Sequence, residues 1–131
     1  MKLLLDTHIW LWSLLEPDRL SENLLHALRS TETELYLSPI SIWELTILAS
    51  KDRVVLNSEV DEWVDEALSW VPITEIPLTI QAALEANRLN LPHCDPADRF
   101  IVATAKTFEL TLVTADTRIL NAGMCALLPN A

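Results

Sequence analysis

Four carboxylates, Asp6, Glu44, Asp98 and Asp116, occupy settings in which an acid can do chemistry. Asp6 follows the apolar run Leu3-Leu4-Leu5, and Asp116 follows Leu112-Val113-Thr114-Ala115. If both runs are central parallel strands, both carboxylates leave the sheet at the same edge, where ligands bind in open parallel sheets. Each also has an ordinary role, since an aspartate between a strand and a helix is a common N-cap. Glu44 sits in a segment made apolar by Ile40, Ile42, Trp43, Leu45, Ile47 and Leu48. Burying an unpaired charge is costly, so Glu44 needs either a Lys or Arg partner or a cation. In His93-Cys94-Asp95-Pro96-Ala97-Asp98-Arg99, Asp95 before Pro96 is the expected N-cap. Asp98 then falls in the first helical turn, where an acid suits the helix dipole. Its side chain is less needed to end the helix, so Asp98 is the better ligand of the two.

Oxygen ligands of this kind suit a hard divalent cation, Mg²⁺ or Mn²⁺. A cation also offsets the repulsion among clustered acids. No Cys and His set has zinc spacing: His8, His26 and His93 are scattered, with His93 alone beside the acidic turn. The single glycine, Gly123, excludes a phosphate-cradling loop, and no GxSxG elbow is present.

The elements that must position these acids alternate between strand and helix signals. Strands are expected over Lys2 to Leu5, Glu34 to Ser38, Val71 to Ile76, Leu110 to Thr114 and Ala126 to Leu128. Helices are expected over Thr7 to Leu15, after a Ser21 cap, over Ile40 to Ser50, after Ser58, over Leu78 to Leu89, from Asp95-Pro96 to about Phe108, and over Thr117 to Asn121. The strands read as continuously apolar, as parallel strands covered on both faces do. The pattern predicts an α/β fold with a mainly parallel sheet. Trp10, Trp12, Trp43, Trp63 and Trp70 fall mostly at helical spacing, which favours core or interface packing over stacking on a base. Trp10 and Trp12 cannot both face one side of a helix.

The chain has 131 residues, and half of them are hydrophobic, enough for one domain over 1–131 with one core. Its formal charge of −10 weighs against nucleic acid and for a basic partner or bound cations. Cys94 and Cys125 read as reduced thiols of a cytoplasmic protein. Asp6 and His8 break the apolar start too early for a signal peptide. No run approaches the ~18 apolar residues of a membrane helix, so a soluble protein without a membrane role is expected.

The segments Asp6-Thr7-His8-Ile9-Trp10-Leu11-Trp12, Ser38-Pro39-Ile40-Ser41-Ile42-Trp43-Glu44-Leu45, His93 through Ala105, and Leu112 through Leu120 together resemble, in order, the four motifs of PIN-domain proteins. The resemblance is strongest to VapC-type toxins of bacterial toxin–antitoxin pairs. It implies an α/β/α sandwich with a central parallel sheet, and an acidic quartet of Asp6, Glu44, Asp98 and Asp116, with Asp95 as an additional acid. It further implies Mg²⁺- or Mn²⁺-dependent endoribonuclease activity, a homodimer, and a cognate antitoxin whose tail occupies the groove. Cys94 and Ala115 stand where a basic residue is common in similar sequences, and Ala97 where an aromatic is common. Arg99, Lys106 and Arg118 remain as candidate phosphate contacts, and Thr7 and Thr114 as residues that could orient the acids. Two rivals are a phosphatase of another α/β family and a catalytically weak binding module. His8, at the position where a phosphoaspartate enzyme carries its second Asp, disfavours the first. Retention of all four acids disfavours the second.

Overall fold

In a computed structural model of the chain, residues 1–91 and 94–131 are described. Among them β1 (Lys2–Leu5), β2 (Glu34–Leu37), β3 (Thr74–Glu75), β4 (Thr111–Thr114) and β5 (Leu127–Pro129) form one sheet in the order β3-β2-β1-β4-β5. Every pairing is parallel, with Leu4 of β1 opposite Tyr36 on one side and Leu112 on the other. The chain fills the sheet outward from β1 first on one side and then on the other. The crevice where this order reverses lies between β1 and β4.

Alternation along the strands splits the core into two layers. Leu3, Leu5, Leu35, Leu37 and Val113 pack on one face with Ile9, Trp10, Leu24, Leu45 and Trp63. Those residues belong to α1 (Thr7–Leu15), α2 (Glu22–Arg29), α3 (Pro39–Ser50) and α4 (Val60–Trp70). Leu4 and Leu112 pack on the other face with Ala86, Ile101, Val102 and Ile119. These come from α5 (Ile80–Ala86), α6 (Pro96–Thr107) and α7 (Thr117–Ala122). The result is an α/β/α sandwich, as the resemblance implies, around the parallel sheet that the alternation predicts. No described helix is long and apolar enough to cross a membrane.

Local chemistry starts and stops most helices. The Asp6 carboxylate accepts from Thr7 N at the start of α1, and Ser21 accepts from Leu24 N at the start of α2. Pro17 blocks continuation of α1, because the residue before a proline is pushed out of helical geometry, and residues 17–19 form a 3₁₀ turn. Asp95 with Pro96 begins α6. Gly123 ends α7 at φ 61°, a left-handed conformation that glycine adopts without strain.

Three expectations need correction. The helix after residue 58 starts at Val60 with Glu59 at its N-cap, and the Ser58 hydroxyl is buried without a hydrogen-bond partner among the described residues. The strand expected over 71–76 shrinks to Thr74–Glu75, an edge strand paired to β2 alone. Pro72 just before it has no N–H to donate to a ladder. The helix expected over 78–89 is only Ile80–Ala86, capped by Thr79. Of the tryptophans, Trp10 and Trp63 are core, 3% and 2% exposed, but Trp43 and Trp70 are 56% and 55% exposed. Helical spacing set their phase but not which face the fold would cover. Cys94 and Cys125 are both free. The expectation concerning His93 lies outside the described residues.

Candidate active site

Both central strands end in a residue that builds the site. Asp6 directly follows β1, where its N–H donates to Val113 O of β4 at 3.0 Å. Its two carboxylate oxygens are separately held: Oδ1 accepts from Thr7 N at 2.8 Å and Oδ2 from Thr114 Oγ1 at 2.7 Å. The Thr114 hydroxyl accepts in turn from Asp116 N at 3.1 Å. One hydroxyl at the end of β4 thus ties the first and last acids of the sequence together.

Glu44, in the second turn of α3, reaches the same place from β2's side of the sheet. Thr7 Oγ1 lies 2.5 Å from Glu44 Oε1 and 2.8 Å from Ser41 Oγ. That hydroxyl has one proton, and the charged acceptor takes it, because bonds to carboxylates are the stronger ones. The Ser41 hydroxyl then donates to Thr7. The partner that Glu44 needs is therefore a threonine hydroxyl, where a Lys or Arg was the expected alternative to a cation. Sequence reading anticipates the roles of Thr7 and Thr114 but misses Ser41, whose position one turn before Glu44 is the only signal.

The outer side of the cleft is made of helix starts. Asp95 accepts from Asp98 N at 2.9 Å, the expected capping role. Asp116 accepts from Arg118 N at 2.8 Å and is also held by the Arg118 guanidinium, 3.1 Å from its Oδ2. Asp6, Glu44, Asp95, Asp98 and Asp116 all line one open cleft of about 350 Å³, together with His8 and Arg118. Every acid singled out in the sequence is thus brought to one place.

The electrostatics record the crowding. Burial raises the pKa of Asp6 and outweighs the bonds from Thr114 and Thr7 that lower it. Glu44 is raised by burial, against the Thr7 hydroxyl, with Asp6 and Asp95 adding to the rise. Asp98 is pushed up to about 7, first by burial and then by the charges of Asp95, Asp6, Glu44 and Asp116. Burial raises Asp116 as well, but its bonds from Arg118 and the Ile119 backbone prevail and hold it below the usual carboxylate range.

The donor set is anionic oxygen, the type a hard divalent ion takes, and a cation would neutralise the carboxylate charges that add to the effect of burial on Asp98. Among the described residues no three His, Cys, Asp or Glu side chains are gathered tightly enough to hold an ion as they stand. Like charges are spread apart, with Glu44 turned to Thr7 and Asp116 to Arg118. The set fits a cation in chemistry and in the cleft it shares, and closure around one would require Asp116 to turn from the exposed Arg118.

Two of the three basic candidates lie elsewhere. Arg99 turns inward, its guanidinium donating to the carbonyls of Ala86, Leu89 and Leu91 at 3.2, 3.1 and 2.9 Å. It pins the carbonyls of residues 86, 89 and 91 against α6. Lys106 pairs with Glu85 at 2.7 Å. Arg118 does reach the cleft, as does Trp12, which carries the Arg19 guanidinium 4.4 Å from its ring centre.

A parallel sheet that gathers separate acids at the switch point of its strand order defines a carboxylate-centred α/β protein, and the chain belongs to the PIN domain family, whose model matches residues 3–123. Ribonuclease VapC22 of Mycobacterium tuberculosis (strain ATCC 25618 / H37Rv) is 36% identical over 116 residues, 88% of each chain. Among solved structures, VapBC2 from Rickettsia felis, bound to a DNA fragment from its promoter, matches at a TM-score of 0.75 with 20% identity over 98% of both chains. DNA-bound VapBC from Salmonella typhimurium matches at 0.71 with 16% identity, over 100% of this chain and 99% of that one. At these identities the structural matches show the fold.

Proposed function

We propose that this protein is a Mg²⁺- or Mn²⁺-dependent endoribonuclease, the toxin of a toxin–antitoxin pair, working as a homodimer and restrained by a cognate antitoxin protein. The observation that carries this reading is the convergence of five carboxylates on the cleft beyond β1 and β4. The similarity to a protein named a ribonuclease supports RNA as substrate. The VapBC structures support a protein partner.

Asp6, Glu44, Asp98 and Asp116 would hold the ion, with Asp95 as a further acid at the rim. A bound ion supplies Lewis-acid stabilisation of the phosphoryl oxygens and lowers the pKa of a water. The chain's own residues prepare that arrangement. Thr114 and the Thr7 N–H fix both Asp6 oxygens, so this carboxylate is oriented before any ligand arrives. Thr7 and Ser41 aim Glu44. Without an ion, burial and the neighbouring acids hold a proton on Asp98 up to about pH 7, and a bound cation would favour its ionised form. Arg118 stands at the rim, where a phosphate would approach. The formal charge of −10 suits a basic antitoxin segment better than naked nucleic acid.

The test is cleavage of a mixed structured-RNA pool in Mg²⁺, Mn²⁺ or EDTA, beside Asp6→Asn. Metal-dependent cuts absent from the variant are expected. A folded, inhibitor-free protein that cuts nothing in either metal, or an Asp6→Asn variant that cuts as well as wild type, would overturn the reading.

A further inference from the structure

A second groove opens beside the acidic cleft. It encloses about 260 Å³ and is lined from α3 by Trp43, Ile47 and Leu48 and from α6 by Pro96 and Ala97. His8, Glu44 and Asp95 line both this groove and the cleft, so the two are continuous. Trp43 directly precedes Glu44 in α3 and is more than half exposed. The other exposed tryptophan, Trp70, leans edge-on against Trp63 with ring centres 6.4 Å apart. Among the described residues no ring stacks on Trp43.

We propose that Trp43 is the stacking platform for one unpaired base of the RNA, next to the phosphate that the carboxylates address. The inference rests on the ribonuclease reading of the cleft. A strand held by a phosphate there must place a neighbouring nucleotide alongside, and this groove is the apolar continuation. Its chemistry suits a base and not a phosphate: the indole, Ile47, Leu48 and Pro96 offer apolar contact, whereas Glu44 and Asp95 repel a second phosphate. Ala97, buried to 5% exposure, leaves space that a larger side chain would fill. Stacking on an aromatic ring is available to every base and needs no particular sequence. At about 260 Å³ the groove has room for one ring system.

The experiment is steady-state cleavage of short single-stranded RNA oligonucleotides of mixed sequence in Mg²⁺ or Mn²⁺. Wild type is compared with Trp43→Ala, Trp43→Phe and Trp70→Ala. Trp43→Ala should raise KM roughly tenfold and leave kcat nearly unchanged, as loss of one stacked base does. Trp43→Phe should restore part of the loss, and Trp70→Ala should match wild type. In a series with one abasic nucleotide at each position around the cut, one position should bring wild type down to the Trp43→Ala level. Wild type that cuts while Trp43→Ala keeps the same KM overturns the subsite and leaves the nuclease standing. An unchanged KM together with weakened antitoxin binding assigns the groove to the protein partner and overturns the subsite too. Wild type that neither cuts nor binds any oligonucleotide overturns the nuclease reading, and the subsite with it.

Discussion

The two walls of the cleft are built on different physics. On the inner wall, Asp6 and Glu44 are held by neutral hydroxyls that arrive from distant parts of the chain: Thr114 stands 108 residues from Asp6, and Thr7 stands 37 from Glu44. On the outer wall, Asp95 and Asp116 are held by the backbone two or three residues ahead, and Asp116 by the solvent-exposed Arg118. Asp98 faces both walls and carries the electrostatic cost of their meeting. The inner acids are therefore fixed by tertiary structure, and the outer acids by local capping. Water can replace much of what Arg118 gives Asp116. Nothing in solvent can replace Thr114 beneath a buried Asp6.

That difference ranks the consequences of substitution. Asp6→Asn should lower metal-dependent RNA cleavage by roughly two orders of magnitude or more, since a metal contributes several kcal/mol to such a transition state and about 1.4 kcal/mol is tenfold. Single-turnover rates in Mn²⁺ would measure it. Next comes Thr7→Val, which keeps the shape but takes the donor from Glu44. Loss of such an orienting partner costs about 10–100-fold in metal affinity or activity, and Thr7→Ser should recover most of it. If Thr7→Val bound and cut like wild type, the inner wall would not be the organising one.

Asp98 provides a pH test with a definite sign. Its folded pKa is raised from 3.8 to about 7. The folded state thus binds this proton more tightly than the unfolded chain, and the resulting stability is full below 3.8 and lost as pH rises through about 7. In EDTA, wild-type Tm should fall across that window relative to Asp98→Asn, whose curve should be flatter. Saturating Mg²⁺ or Mn²⁺ should remove most of the difference. Equal slopes in EDTA would show that Asp98 does not carry the excess charge. The smallest effect is expected on the outer wall. Arg118→Gln should change cleavage by less than about tenfold, because exposed ion pairs contribute little. An effect larger than that of Thr7→Val, measured in the same assay, would reverse the ranking of the walls.

The same division decides what could be read from sequence. Asp6, Ser21, Asp95-Pro96 and Asp116 announce their helices locally, and α1, α2, α6 and α7 begin where those residues place them. The acids at the ends of β1 and β4 were legible because apolar strands bracket them. The hydroxyl network was only partly so: Thr7 and Thr114 stand beside acids, but the bond from Thr7 runs to Glu44, which no local pattern states. Arg99 is a candidate phosphate contact in the sequence because a cation next to Asp98 looks available until the three carbonyls it serves are seen. Weak elements were misjudged where tertiary contact decides them, as at the two-residue β3 and the start of α4.

Three of the five acids, Asp6, Asp95 and Asp116, are also the residues that begin helices. Asparagine and serine cap helices as well as aspartate does, whereas alanine costs about 0.5–2 kcal/mol at such a position. The chain can therefore lose its chemistry without losing its fold by only a few substitutions. A lineage drifting toward silence would be filtered by stability before selection on activity acted at all. Its inactive descendants should carry Asn or Ser at positions 6, 95 and 116, and seldom Ala, Val or Leu.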